Sequence, residues 1–142
     1  MIWGNLFPPV LILKKMIELE IIKEKKRNIY SSIFAEEYSC KFFFKSILHH
    51  VISLEIYENQ NVNGISFETI CANVPKSIGS RSSIQSILNE ALEKNILMKS
   101  QSKKDRRIKK YFLSDKFSET IDNWLKKEES FFSKKNGHNN SY

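Results

Sequence analysis

The stretch Ser80 to Ser114, SRSSIQSILNEALEKNILMKSQSKKDRRIKKYFLS, constrains the fold more than any other part of the chain. Ile84, Ile87, Leu88 and Ala91 fall at i, i+3, i+4 and i+7, the spacing of one apolar helix face. The opposite face carries Arg81, Ser82, Gln85, Ser86 and Asn89, and no acid. Asn95 follows, a residue that tolerates the left-handed conformation in which helices end. Next come an apolar β-capable run (Ile96, Leu97, Met98), a polar tip from Ser100 to Arg107, and a second β-capable run from Ile108 to Leu113. Helix, stop and hairpin with a cationic tip, in that order, predict a winged helix.

The charge is placed to match. Lys76, Arg81, Lys94, Lys99, Lys103, Lys104, Arg106, Arg107, Lys109 and Lys110 stand against only Glu90, Glu93 and Asp105 between positions 76 and 110. That excess equals the whole formal charge of +7; the remaining basic and acidic residues cancel. An excess concentrated on one supersecondary unit predicts a phosphate-binding surface.

These residues resemble the MarR-type winged-helix transcriptional regulators. In that family the wing reads D-x-R followed by L-T. Here Asp105-Arg106-Arg107 is followed by Leu113-Ser114 at the same spacing, and the helix stop, Asn95, lies ten residues before the Asp. Ser83-Ile84-Gln85-Ser86 occupies the place of the family's T-V-[ST]-R at the start of the recognition helix. The similarity runs from about Ser66 to Trp124. Asn95 in place of glycine, Ser86 in place of arginine and Phe117 in place of a glycine after the wing depart from the pattern. The resemblance implies a dimer whose recognition helices enter major grooves and whose wings enter minor grooves, most often as a repressor. It also allows a small-molecule effector, for which no residues are assigned.

The bulk properties are compatible. A chain of 142 residues with 41% hydrophobic content and ten Phe can bury one core, and few Gly and Pro point to a mainly α chain. Cys40 and Cys71 are too far apart in sequence to suggest a disulfide or metal framework, and fit a reducing, cytoplasmic setting. The start, MIWGNLFPPVLIL, lacks a basic leader and is too short before Lys14 to span a bilayer, so no membrane partner is expected.

The expected architecture is a single domain, 1–142: mainly α with a small β-hairpin wing, a winged helix-turn-helix flanked by N- and C-terminal dimerisation helices. Residues 1 to 9, with Trp3, Leu6 and Phe7, form an irregular arm. A helix over Val10 to Arg27 is apolar on most of its circumference, which requires burial on two sides and predicts a partner subunit. A short helix or bend covers Asn28 to Glu37, completing the first dimerisation region, 10–37. Ser39 caps a helix over Cys40 to Glu58, which opens the winged-helix part, 40–114. A turn covers Asn59 to Gly64, Ser66 caps a helix to Asn73 that packs Phe67, Ile70 and Cys71 inward, and Val74 to Gly79 makes the turn of a helix-turn-helix. The second dimerisation helix covers 115–132, with Phe117, Ile121, Trp124 and Leu125 on one stripe, and 133–142 is a disordered tail.

The expected DNA contacts are Lys76, Ser80, Arg81, Ser82, Gln85, Ser86, Lys103, Lys104, Arg106, Arg107 and Lys109. Arg81 and Gln85 carry the donors that guanine and adenine edges accept from. Ser80 and Ser82 sit at a helix N-terminus, where phosphate is favoured. By motif position Arg107 is the residue that enters the minor groove and Asp105 its support, while Lys103, Lys104, Lys109 and Lys110 contact phosphates. A redox role for Cys40 would need a cationic or helix-N-terminal setting. His49 and His50 are adjacent and so diverge on a helix, and His138 is remote, so no metal is expected. No cofactor and no enzymatic motif is present. Two other functions use the same residues: a winged-helix module that docks an acidic protein, and a non-specific architectural DNA binder.

Overall fold

A computed structural model describes residues 9–101 and 103–137, with side chains as far as Ser133. The expected Trp3, Leu6 and Phe7 arm, Ser102 and residues 138–142 of the expected tail lie outside these residues. Residues 133–137, expected to belong to that disordered tail, instead continue the last helix to Gly137, because no helix breaker precedes that glycine. The described chain forms α1 (Pro9–Ile33), α2 (Tyr38–Phe43), α3 (Ile47–Asn59), a 3-10 turn (Gln60–Val62), β1 (Ile65–Ser66) and α4 (Phe67–Asn73). It continues with α5 (Arg81–Glu93), β2 (Leu97–Gln101), β3 (Lys109–Leu113) and α6 (Asp115–Gly137). Its described residues divide into two compact units, one of residues 9–31 and 123–137 and the other of Ser32–Asp122.

The Ser32–Asp122 unit is a winged helix. Its three strands are antiparallel in the order β1-β3-β2, with β3 in the centre. Leu97 pairs with Leu113 at the base of the wing and Gln101 with Lys109 near its tip. The base is closed by the Ser114 amide, which donates to the Ile96 carbonyl at 2.8 Å. Gln60 fastens the sheet to the end of α3: its Oε1 accepts from the Leu113 amide at 2.7 Å and its Nε2 donates to Ser118 Oγ at 3.0 Å. The core is apolar and closely filled. Phe42, Phe43, Ile52, Ile56, Ile70, Ile84, Leu88, Leu113, Phe117 and Ile121 are all but inaccessible to solvent. Phe117 is edge-on to both Phe42 and Phe43, with ring centroids 5.7 and 6.1 Å away, the arrangement in which ring edge meets ring face. In the turn before α5, a Cβ on Gly79 would run into the Leu48 side chain, so any larger residue there would require Leu48 to shift where the turn lies against α3.

Three expected elements are drawn differently. The single helix expected over Cys40 to Glu58 is two helices. The break falls at Phe44–Ser46, where Ser46 Oγ accepts from the His49 amide at 3.1 Å and starts α3 afresh. Ser39 is correspondingly no cap; it is buried within the first turn of α2, and its hydroxyl meets that of Thr120 at 3.0 Å. The expected short element at Asn28–Glu37 is instead the end of α1, which runs unbroken to Ile33. Nothing between Arg27 and Asn28 breaks a helix, and the charged run before it consists of good helix formers. Strand β1 was not anticipated, since two residues carry no alternation to detect.

In the other unit α1, near Lys25 and Asn28, meets α6 at Glu128. Asn28 and Glu128 are buried in it, and Asn28 Nδ2 donates to Glu128 Oε1 at 3.4 Å. Lys25 Nζ lies 3.9 Å from the other Glu128 oxygen. Along α1, by contrast, Val10, Leu11, Ile12, Leu13, Met16, Leu19 and Ile22 are all exposed.

Candidate nucleic-acid interface

Helix α5 is built as its pattern requires. Ser80 is the N-cap, with Oγ accepting from the Ser83 amide at 3.2 Å. Ile84, Ile87, Leu88 and Ala91 are buried, and Arg81, Ser82, Ser86 and Asn89 are exposed. At the far end Asn95 has φ of 56°, as expected of the stop. The Asn95 amide donates to the Leu92 carbonyl and the Ile96 amide to that of Ala91, the paired bonds of a Schellman ending. The chain therefore leaves the helix directly into β2.

A cluster of polar groups fixes the inner side of α5. Glu90 Oε1 accepts from the Tyr38 hydroxyl at 2.6 Å and from Lys45 Nζ at 2.9 Å, while Oε2 faces His49 Nε2 at 3.7 Å. The hydrogen bonds from Tyr38 and Lys45 hold the Glu90 carboxyl below its usual range. Burial and the bond to Glu90 push the Tyr38 phenol up to about 12. Desolvation lowers His49, whose Nδ1 meets Ser46 Oγ at 2.6 Å.

The wing tip is an ordered turn. Asp105 Oδ1 accepts from the Arg107 amide at 3.0 Å, and the Asp105 carbonyl accepts from the Ile108 amide at 3.0 Å. This doubled Asx and β-turn places Arg106 and Arg107 at its two central positions, where both are exposed. Asp105 thus holds the wing backbone rather than an arginine side chain.

A cleft of about 480 Å³ lies between α4, α5 and the wing, lined by Ser66, Phe67, Glu68, Gln85, Lys99, Arg107, Ile108, Lys109, Lys110 and Tyr111. It brings the expected contacts Gln85, Arg107 and Lys109 onto one surface. Lys76, Ser80, Ser82, Ser86, Lys103, Lys104 and Arg106 are exposed but do not line it. Lys99 stands with Nζ 5.6 Å from the centroid of the Tyr111 ring, which lines the same cleft. Arg81 adjoins the cleft through Glu68: Nη1 donates to Oε2 at 2.9 Å and Nη2 to Oε1 at 2.6 Å. Its guanidinium also lies 5.1 Å from the centroid of the Phe67 ring. Sequence reasoning missed Phe67 and Glu68 as part of this surface, and placed Lys99 only within the general cationic cluster. Only their position on α4 brings Phe67 and Glu68 to it, and no local spacing announces a contact between residues 68 and 81.

Both cysteines are half-buried free thiols. Burial first, then the Glu37 carboxylate, raise the Cys40 thiol, the opposite of the setting a reactive thiolate needs. Burial likewise raises Cys71. Phe67 and Cys71, expected to point fully inward from α4, are half-buried, and only Ile70 is enclosed. Among the described residues no group of three or more His, Cys, Asp or Glu is placed to hold a metal ion. None of the described helices is long and apolar enough to cross a membrane.

No protein-family model and no curated protein matches the sequence. Solved structures do match. S. aureus MepR bound to ethidium bromide aligns with a TM-score of 0.56 at 15% identity, covering 94% of this chain and 81% of that one. The YusO protein from Bacillus subtilis aligns at 0.51 and 12% identity, covering 88% and 77%. A double mutant of Lactococcus lactis ZitR aligns at 0.50 and 15% identity, covering 68% of this chain. In that last match the chain spans 62% of the ZitR length. At such identities the likeness is one of fold, and the fold agrees with the one the wing motif implied. The chain has the winged-helix fold of the MarR-type regulators.

Proposed function

We propose that this chain is a sequence-specific double-stranded DNA-binding regulator of transcription that acts as a dimer, most often as a repressor, and is not an enzyme. The observation that carries the reading is the cleft in which Gln85 of α5 faces the same opening as Arg107, Lys109 and Lys110 of the wing. A polar helix face beside a cationic hairpin fits the two grooves of B-DNA: α5 is suited to the major groove and the wing turn to the minor groove. Lys76, Lys103, Lys104, Lys109 and Lys110 supply phosphate contacts and Arg107 the groove contact.

The dimer rests on α1. Val10, Leu13 and Met16 are 74%, 58% and 58% exposed in the isolated chain, and Leu19 and Ile22 extend the apolar surface. A second copy is the occupant that also matches the DNA: two α5 helices roughly 34–36 Å apart read successive half-sites of a pseudo-palindrome. Regulation then follows from occupancy, because a bound dimer excludes polymerase from the same DNA.

The test is affinity for the chain's own upstream intergenic DNA against a scrambled duplex at two salt concentrations. Preference for the upstream sequence that survives higher salt supports a site-specific regulator. Equal binding that disappears with salt would leave a non-specific architectural binder, and no binding at either salt would leave the protein-docking module.

A further inference from the structure

The cleft is lined by cations at Lys99, Arg107, Lys109 and Lys110, yet one acid, Glu68, stands in its wall. Glu68 and Arg81 are both highly exposed, with side chains 72% and 61% accessible, and they meet end-on through two hydrogen bonds. An exposed pair of this kind adds little to stability, since solvent screens it and ordering two long side chains costs entropy. Its consequence is therefore to be sought in what the surface binds. Phe67, the residue before Glu68, supports the guanidinium from its ring side, so Arg81 is held in one place by two neighbours on α4.

Resting on the DNA-binding reading, we propose that Glu68 determines specificity by converting Arg81 from a phosphate contact into a reader of a base edge. A guanidinium has five N–H donors, and an end-on carboxylate uses one on each terminal nitrogen. The edge formed by Nε and one Nη keeps its two donors and matches the O6 and N7 acceptors of guanine. What the carboxylate removes is net charge. A phosphate approaching Arg81 meets a neutral pair with an anion on its far side, so the Coulomb attraction that drives non-specific binding is cancelled. A guanine edge is uncharged and loses nothing of that kind. The pair therefore lowers affinity for arbitrary DNA while leaving the geometry for one base intact, which widens the ratio between them. Each carboxylate–guanidinium hydrogen bond favours the charged form of both partners: Arg81 holds the Glu68 carboxyl below its usual range, and Glu68 raises Arg81. The pair thus persists at neutral pH.

The experiment compares the whole chain with Glu68→Gln, Arg81→Ala and, as a charge control outside the cleft, Glu119→Gln, on upstream and scrambled duplexes over a salt series. Glu68→Gln should tighten binding to scrambled DNA several-fold, steepen its log–log salt slope by about 0.9 per protein copy, and narrow the preference for the upstream duplex. Arg81→Ala should weaken upstream binding at least tenfold yet keep the wild-type slope on scrambled DNA. Glu119→Gln should change neither slope nor preference. If wild type itself shows no preference, the regulator reading falls and this proposal with it. If wild type discriminates but Glu68→Gln leaves slope and preference unchanged, or Glu119→Gln matches its effect, or Arg81→Ala flattens the scrambled slope, the proposal alone is overturned.

Discussion

Two helices of this chain solve the same problem in opposite ways. On α5 every apolar residue of the stripe Ile84, Ile87, Leu88 and Ala91 is at most 8% exposed, and the outward face is polar. On α1 the one buried residue is polar, Asn28, while seven large apolar side chains between Val10 and Ile22 face solvent. The first helix is completed by its own chain. The second leaves its apolar residues uncovered by its own chain, which is the surface the proposed dimer uses. An amphipathic stripe tells where a helix sits in its own fold, whereas an apolar surface left exposed is what the proposed second subunit would cover.

The comparison breaks most readily at Leu88, which is fully buried. Leu88→Ala should cost about 2–5 kcal/mol of unfolding free energy in denaturant titration, by lost burial and the cavity left behind. A variant as stable as wild type would show that α5 is not packed as described. On α1 the expected effect is of another kind. Replacing Leu13 and Met16 by Glu should leave the α5 core intact but abolish self-association, so that sedimentation gives a monomer and the thermal midpoint no longer rises with protein concentration. Should the wild type already sediment as a monomer at micromolar concentration, the dimer is wrong and the α1 surface needs another occupant.

The contrast also explains what the sequence made legible. The stripe on α5, the Asn95 stop and the two wing strands are all local signals, and each stands in the structure where the residues placed it. The break at Phe44–Ser46 was hidden because Phe42, Phe43 and Phe44 extend an apolar pattern through it, and Ser46 competes only once the chain turns. Of the candidate interface, the cations were legible from composition and the motif. The Glu68–Arg81 pair was not, because two helices have to be docked before residues thirteen positions apart can meet.

Smaller effects separate binding from folding on the two sides of α5. Arg107→Ala should weaken binding to the upstream DNA by about 1–3 kcal/mol. Its thermal midpoint should stay near wild type, since the turn is held by the Asp105 side chain and the Arg107 backbone rather than by its guanidinium. A collapsed midpoint would make Arg107 structural. Ser80→Ala removes the acceptor for the Ser83 amide and should cost about 1 kcal/mol of stability. An unchanged midpoint would mean that water caps α5 as well as Ser80 does.

The least of the expected effects lies on the inner side of α5 and is read by pH. Desolvation, reinforced by the Lys45 charge, lowers His49 below its ordinary value near 6.5, and the opposing attraction of Glu90 does not reverse this. Above that value the imidazole is neutral in both folded and unfolded chains and makes no difference to stability. As pH falls through it, the unfolded chain takes the proton first, so folding becomes less favourable until pH reaches the lower, folded value. The Glu90 carboxyl, also lowered, acts in a separate and more acid window, below its ordinary 4.5. Urea midpoints measured between pH 7.5 and pH 5 should therefore fall with acidification in the wild type and stay nearly level in His49→Gln. A slope that survives the substitution would show that the burial of His49 behind α5 is not what makes this side of the helix sensitive to acid.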